Sequence, residues 1–359
     1  MPSSAVSSLR PLRVGFIALT DAAPLIVAQE QGFFLRYGLQ VALSREVGWA
    51  TMRDKIIYGE LHAAHALAGM LWSTHLGLGS VPCEVFTALV LNLHGNAITL
   101  SRTLWDAGVR DTAALRDEAR RRRGERRMTF GVVYPFSLHH VMLRLWLREA
   151  GVDPDHDVRI VVVPPAQMFR NLVAGTIDGY CVGEPWNTLA AREGAGWCPA
   201  TSPGLMPGHV EKVLMVRADF VRQHVAAHAA LVAAVTAACA WCDEPANREE
   251  LARLLSRPEY LNLPAKVIAP SLLGKFDTGL GVIRDAPDFH VFHRGGEANV
   301  PTADKALSVQ RDLVEAGLLA PSLVDATLPR RLFREDLHQA ALRSHFPTHP
   351  NHTYATPAV

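Results

Sequence analysis

Residues 49–66 read WATMRDKIIYGELHAAHA, and residues 165–182 read PAQMFRNLVAGTIDGYCV. Laid over each other without a gap, Ala50 meets Ala166, Met52 meets Met168 and Gly59 meets Gly175, with Ile56/Leu172, Ile57/Val173 and Leu61/Ile177 as conservative pairs. The same offset joins LRVGFIAL, from Leu12, to MTFGVVYP, from Met128, whose central glycines Gly15 and Gly131 are 131 − 15 = 116 residues apart. A unit used twice accounts for both matches. Each copy reads strand, amphipathic helix, second strand, short helix, glycine turn, third strand. The first helix, PLIVAQEQGFFLRYG, has Thr20 or Asp21 as its cap, Pro24 in its first turn and Gly38 beyond its end. The second, LHHVMLRLWLREAG, is capped by Ser137 and stopped by Gly151. Strands alternating with helices predict parallel sheets with right-handed crossovers, and two copies predict two α/β lobes. Ligands of such sheets sit beyond the carboxyl ends of the strands, near helix amino termini, so two lobes facing each other there make a cleft.

Working outward, LMVRADF reads as a strand returning to the first lobe, and the chain beyond about Val213 turns helical. The expected organisation is a first lobe over 12–125, a second over 128–212, a return to the first lobe with carboxyl-terminal helices over 213–342, and a flexible tail over 343–359. Lys+Arg 36 against Asp+Glu 35 leaves a net charge of +1, so global charge points to no direct nucleic-acid contact and no membrane surface. The basic run Arg120–Arg127 reads as a solvated loop. The longest uncharged apolar run, Ala229 to Cys242, falls short of the roughly 20 residues a bilayer core needs, and no membrane insertion is expected. The amino terminus, MPSSAVSSLRPLRVGFIAL, shows no secretory pattern, which predicts a cytoplasmic protein. Five scattered cysteines fit a reducing compartment, and Cys239-Ala-Trp-Cys242 lies inside a helical pattern, where structural thiols are favoured over a redox pair.

Sixteen histidines invite a metal hypothesis, and His62/His65 and His290/His293 each have helix-compatible i, i+3 spacing, but none lies in an HExxH pattern or beside a Cys pair. GxSxG, GxxxxGK[ST] and GxGxxG are all missing, which removes the usual hydrolase, nucleotide-phosphate and dinucleotide signals. No metal, no cofactor and no catalytic residue are therefore expected. What remains is a set of groups at the edges of the expected cleft: Trp49, Asn96, His139, Pro185, Trp186 and Lys212. Asn96, Trp186 and charged His139 and Lys212 are donors, and a helix amino terminus adds free N–H groups. Such a pocket suits a small oxyanion that only accepts hydrogen bonds. Singly, each of these residues is more often core or surface; their joint placement makes the case.

PPAQMFRNLVAGTIDGYCVGEPWN, QEQGFFLRYGL, GWATMRDKIIYGELHAAHAL and HVEKVLMVRADFV resemble the nitrate- and bicarbonate-binding proteins of bacterial ABC importers, and their cytoplasmic relatives, nitrate/nitrite sensors that work with an ANTAR-type RNA-binding antiterminator. The resemblance spans roughly residues 12 to 340 and implies a type II periplasmic-binding-protein fold with a ligand cleft between two lobes. It implies an anion pocket of Trp49 with Thr51 on the same turn, Asn96 where nitrate importers have a glutamine, His139, Pro185, Trp186 and Lys212. Lysine at 212 favours nitrate or nitrite, whereas an acidic acceptor would suit bicarbonate, and Glu211 is adjacent. Glu184 becomes a hinge or structural carboxylate. With a cytoplasmic start, the resemblance implies a nitrate/nitrite sensor controlling an antiterminator of nitrate-assimilation genes; the alternatives are the binding subunit of a nitrate importer and, behind it, an enzyme like the thiamine-pyrimidine synthases.

Overall fold

The computed structural model describes residues 11–124 and 126–346. In chain order its strands are β1 (Leu12–Ile17), β2 (Val41–Glu46), β3 (Ala63–Leu67), β4 (Val85–His94), β5 (Asn96–Ser101), β6 (Met128–Val132), β7 (Val158–Val162), β8 (Gly179–Gly183), β9 (Gly196–Thr201), β10 (Val210–Arg217), β11 (Lys275–Asp277), β12 (Ile283–Asp285) and β13 (His290–Val291). They form one sheet of order β13-β4-β10-β3-β1-β2, a second of order β7-β6-β8-β5-β9, and the separate hairpin β11-β12. β1 runs parallel to β2 and β3, and β6 parallel to β7 and β8, as helix-connected strands require.

The repeat is structural as well as sequential. Helices Trp49–Ile57 and Pro165–Val173, strands β3 and β8, and helices Met70–Leu76 and Trp186–Arg192 start and finish 116 residues apart. Each sheet takes its fourth strand from the other half of the chain: β10 lies antiparallel to β3, and β5 antiparallel to β8. Lys212 pairs with Leu67 and Asn96 with Gly183, so Lys212 and Asn96 hold equivalent places, again 116 apart.

The chain therefore crosses to the second sheet at His94–Gly95, well before the expected 125/128 boundary. VFTALVLNLHGNAITL reads as one apolar run, but positive φ at His94 (64°) and Gly95 (101°) swings it out of β4 and into β5. The return crossing lies beside the first. Gly208 N–H donates to His94 Nε2 (2.7 Å), Asn96 N–H to Ser202 Oγ (3.1 Å), and the His94 and His209 rings stand 5.2 Å apart.

Several local expectations change. Arg120–Arg122 are not a solvated loop but the last turn of helix Thr112–Arg122, where cations oppose the negative end of the helix dipole. Arg122 also reaches Asp178 (2.9 Å). His65 and His290 lie in strands, so their i, i+3 partners are not brought onto one helical face. Helix Val225–Asp243 is long and apolar enough to cross a bilayer by length and composition, but most of it is buried inside the protein, against helices Ala23–Glu30 and Glu335–His345. Its Cys239 and Cys242 are buried, and burial pushes both thiols up. Of the tail expected over 343–359, the helix Glu335–His345 claims the first residues, and 347–359 lie outside the described residues.

Candidate ligand site

Between the carboxyl ends of the two sheets lies a fully buried cluster of ionisable side chains. Its centre is Lys212, whose Nζ donates to Asp21 Oδ2 (2.5 Å) and to Glu211 Oε1 (2.8 Å). Glu211 Oε2 accepts from Asn96 Nδ2 (2.6 Å), and His209 Nε2 lies 3.2 Å from it. His139 Nε2 stands 2.9 Å from Glu211 Oε1, and His65 Nε2 2.9 Å from Asp21 Oδ1; neither ring is aligned for a hydrogen bond. Trp49 closes one side, its ring centroid 5.5 Å from Lys212 Nζ and 5.5 Å from the His65 ring.

Sequence explains each placement. Gly48 leaves Trp49 as the first residue of its helix, and Trp49, Met52 and Ile56 form the buried stripe. Ser137 Oγ accepts from His140 N–H, which starts the second-lobe helix and seats His139 in its first turn, facing inward. Asn96 opens β5, directly after the glycine turn. Adjacent strand residues point to opposite faces, so Glu211 and Lys212 should not meet. They do because β10 changes register against β4 on both sides of Lys212, as a bulge does.

Burial works against every charge here, and the pairing decides the outcome. For Asp21, Lys212 and His65 outweigh burial and hold the carboxyl well below the usual range. For Glu211, burial is likewise outweighed, by Lys212 and His139. Lys212 is raised, because Asp21 and Glu211 together overcome its own desolvation. For His65 and His139 burial wins, leaving both lowered despite their carboxylate neighbours. The β8 end follows another rule: burial is the largest influence on Glu184 and pushes its carboxyl to about 7, against hydrogen bonding from Thr188 and Asn187. Its backbone ties the lobes together, since Thr20 N–H donates to Glu184 O (2.8 Å) and Glu184 N–H to Gly95 O (3.0 Å).

Of the residues singled out from sequence, Trp49, Asn96, His139 and Lys212 converge on this cluster. Pro185 and Trp186 are buried at the end of β8, after a cis Glu184–Pro185 bond, and the Trp186 indole N–H has no hydrogen-bond partner among the described residues. Thr51 is exposed and stands outside the site: two residues on from Trp49 along a helix, it faces away from the buried stripe. Four members were missed: Asp21, His65, His209 and Glu211, the last because strand alternation turns it away from Lys212. Asp21 looked like a helix cap, but it makes no cap and turns to Lys212 and His65. His65 looked like half of a histidine pair. His209 carried a usable signal, being two residues before Glu211 and so on its side of an extended chain.

A two-lobed α/β protein with convergent polar side chains between its lobes belongs to the class of periplasmic-binding-protein-like folds. The chain is a member of the NMT1-like family, which matches residues 6–256, and is homologous to the nitrate- and bicarbonate-binding proteins of ABC importers. It is 38% identical over 335 residues to the nitrate import ATP-binding protein NrtC of Synechocystis sp., covering 92% of this chain and 50% of that protein. It is 30% identical over 359 residues to the bicarbonate-binding protein CmpA of Synechococcus sp., covering 93% and 78%. The crystal structure of the periplasmic nitrate-binding protein NrtA from Synechocystis superposes with a TM-score of 0.90 at 29% identity, over 98% of this chain and 92% of that one. The chain spans about half the length of NrtC, and less of the bicarbonate transport ATP-binding proteins it also matches. These relatives are named for binding and transport. They overturn the cytoplasmic expectation: a structure this similar along nearly the whole chain belongs to a periplasmic protein, so the pattern of the first residues was no guide to compartment.

Proposed function

We propose that the chain binds a small oxyanion, nitrate or nitrite, between its lobes, as the substrate-binding component of a nitrate ABC import system. The observation that carries this reading is the convergence of Asn96 Nδ2, Lys212 Nζ and the His139 ring on one carboxylate, inside a fully buried site. Donors that hold a carboxylate suit other planar oxyanions as well. Trp49 and Trp186 support it, each with a buried indole N–H that lacks an acceptor among the described residues. The similarity to NrtA and NrtC supports nitrate. A sensor that releases an ANTAR-type antiterminator on binding nitrate or nitrite stands behind this reading, because it leaned on the compartment now corrected.

A second reading, bicarbonate, is favoured by one observation. Lys212 faces two carboxylates, Asp21 and Glu211, and a ligand with a hydrogen to donate tolerates acceptors that nitrate does not. Calorimetric titration with nitrate, nitrite and bicarbonate separates the two. Heat from nitrate or nitrite at lower concentration than from bicarbonate is expected; a folded protein silent at millimolar nitrate and nitrite would overturn the main reading.

A further inference from the structure

Three of the groups assigned above to an incoming oxyanion, Asn96, His139 and Lys212, already surround one, and it belongs to the protein. We infer that the Glu211 carboxylate is a tethered competitor, sitting in the oxyanion site until a ligand displaces it. The inference rests on the oxyanion reading for what displaces the carboxylate, but not for the occupancy itself.

The geometry is that of a bound ligand. Glu211 Oε1 accepts from Lys212 Nζ at 2.8 Å with the His139 ring 2.9 Å away, and Oε2 accepts from Asn96 Nδ2 at 2.6 Å with His209 Nε2 at 3.2 Å. Three hydrogen bonds on two oxygens, with the His139 ring packed against one of them, take up most of the lone pairs a carboxylate has, so Glu211 is not an idle acceptor waiting for a ligand's hydrogen. The partners come from both lobes. Asn96 starts β5 and His139 lies in the second-lobe helix, while Glu211 and Lys212 lie on β10 of the first sheet. A carboxylate reaching from one lobe thus gathers donors of the other, the role a cleft ligand plays in a two-lobed protein.

Two further observations separate this role from a plain structural ion pair. Lys212 has a second carboxylate, Asp21 at 2.5 Å, and keeps a buried counter-ion when Glu211 leaves. The place equivalent to Glu211 in the other half of the repeat, 116 residues earlier, is Gly95, so the backbone position needs no side chain to be built. The backbone is kept apart from the side chain here too: Glu211 C=O accepts from Ala68 N–H (3.1 Å) whatever its carboxylate does.

A self-occupied site lowers apparent affinity by the fraction of molecules in which it is free. Glu211→Gln, of the same shape but neutral, and Glu211→Ala, which vacates the space, remove the competitor. Nitrate should bind both variants more tightly than wild type, by about tenfold or more if the site is nine-tenths self-occupied. Glu211→Ala should also take up formate or acetate, surrogates of the missing side chain, that wild type does not bind. Formate or acetate uptake without nitrate binding to any of the three proteins would uphold the tethered carboxylate and sink the oxyanion function. Nitrate binding by wild type that is equal or stronger than in both folded variants, with no formate or acetate uptake, would overturn the competitor and leave the function standing.

Discussion

Lys212 and Asn96 occupy the same place in the two sheets, each pairing with the last residue of the third strand of its repeat. One is a cation held by two carboxylates, the other a neutral amide. Their predecessors differ more: Glu211 brings a buried charge, and Gly95 brings only a left-handed turn, with φ 101°. Before the first helices of the two units the contrast repeats, for Asp21 turns to Lys212 while Ser137, its equivalent, caps its helix. The skeleton is symmetric and the charge is not. Asp21 and Glu211 share their cation, Lys212, within the first lobe, and the second adds Asn96 and His139 as partners. Parting the lobes would break contacts to Glu211 without stranding Lys212.

The largest expected effect tests that division. Lys212→Met leaves Asp21 and Glu211 buried and facing each other without their cation, and should cost roughly 3–5 kcal/mol of unfolding free energy. Asn96→Leu, at the equivalent place, removes one hydrogen bond to a charged group and should cost about 1.5–3 kcal/mol. Urea denaturation of the two variants beside wild type reads both. Equal losses would show that the ion network is shared between the lobes rather than closed within one.

A smaller effect comes from a second unequal pair. Ala68 and Glu184 are equivalent, 116 residues apart, but only the second carries a carboxyl group, pushed by burial from 4.5 to about 7. A folded-state pKa above the unfolded one means the folded chain keeps a proton that the unfolded chain has released. Stability therefore falls as pH rises from 4.5 to about 7 and levels off above. Glu184→Gln should abolish that loss, matching wild type at pH 4 and exceeding it by up to roughly 3 kcal/mol at pH 8, from the 1.36 kcal/mol carried by each pKa unit. A constant difference between the two proteins across this range would mean that Glu184 titrates alike in the folded and unfolded chain, with no upward shift on burial.

How much of this was legible beforehand follows from the range of the forces involved. The 116-residue repeat was open to reading, because Gly15 and Gly131 are fixed by close packing within each unit, against Leu61 and Met168. Trp49, His139 and Lys212 were legible as cleft groups, since strand and helix ends are local features. Asp21 was not: capping is a local rule, and a buried lysine 191 residues away outcompeted it. Glu211 was hidden for the opposite reason. Strand alternation places it opposite Lys212, and only a register change against β4, invisible in β10 alone, brings the two together. The crossing at His94–Gly95 was masked because apolar residues continue on both sides of it.

The subtlest pair lies where the lobes touch. Thr20 N–H donates to Glu184 O across the cleft, and the repeat maps these residues onto Phe136 and Ala68. In that second crossing Gly69 takes the contact: a Cβ built there would sit 2.1 Å from Phe136 O, so the lobes approach more closely than any side chain allows. Gly69 leads into the helix Met70–Leu76 with φ −66°, a conformation alanine adopts freely. Gly69→Ala therefore strains neither lobe alone and opposes only their contact. Ligand affinity should fall by about tenfold, about 1.4 kcal/mol, while the unfolding midpoint barely moves and the radius of gyration from small-angle scattering increases. If affinity and radius both stay at wild-type values, the close approach of Gly69 to Phe136 is not part of the ligand-bound state, and closure rests on the Thr20–Glu184 bond and the donors around Glu211.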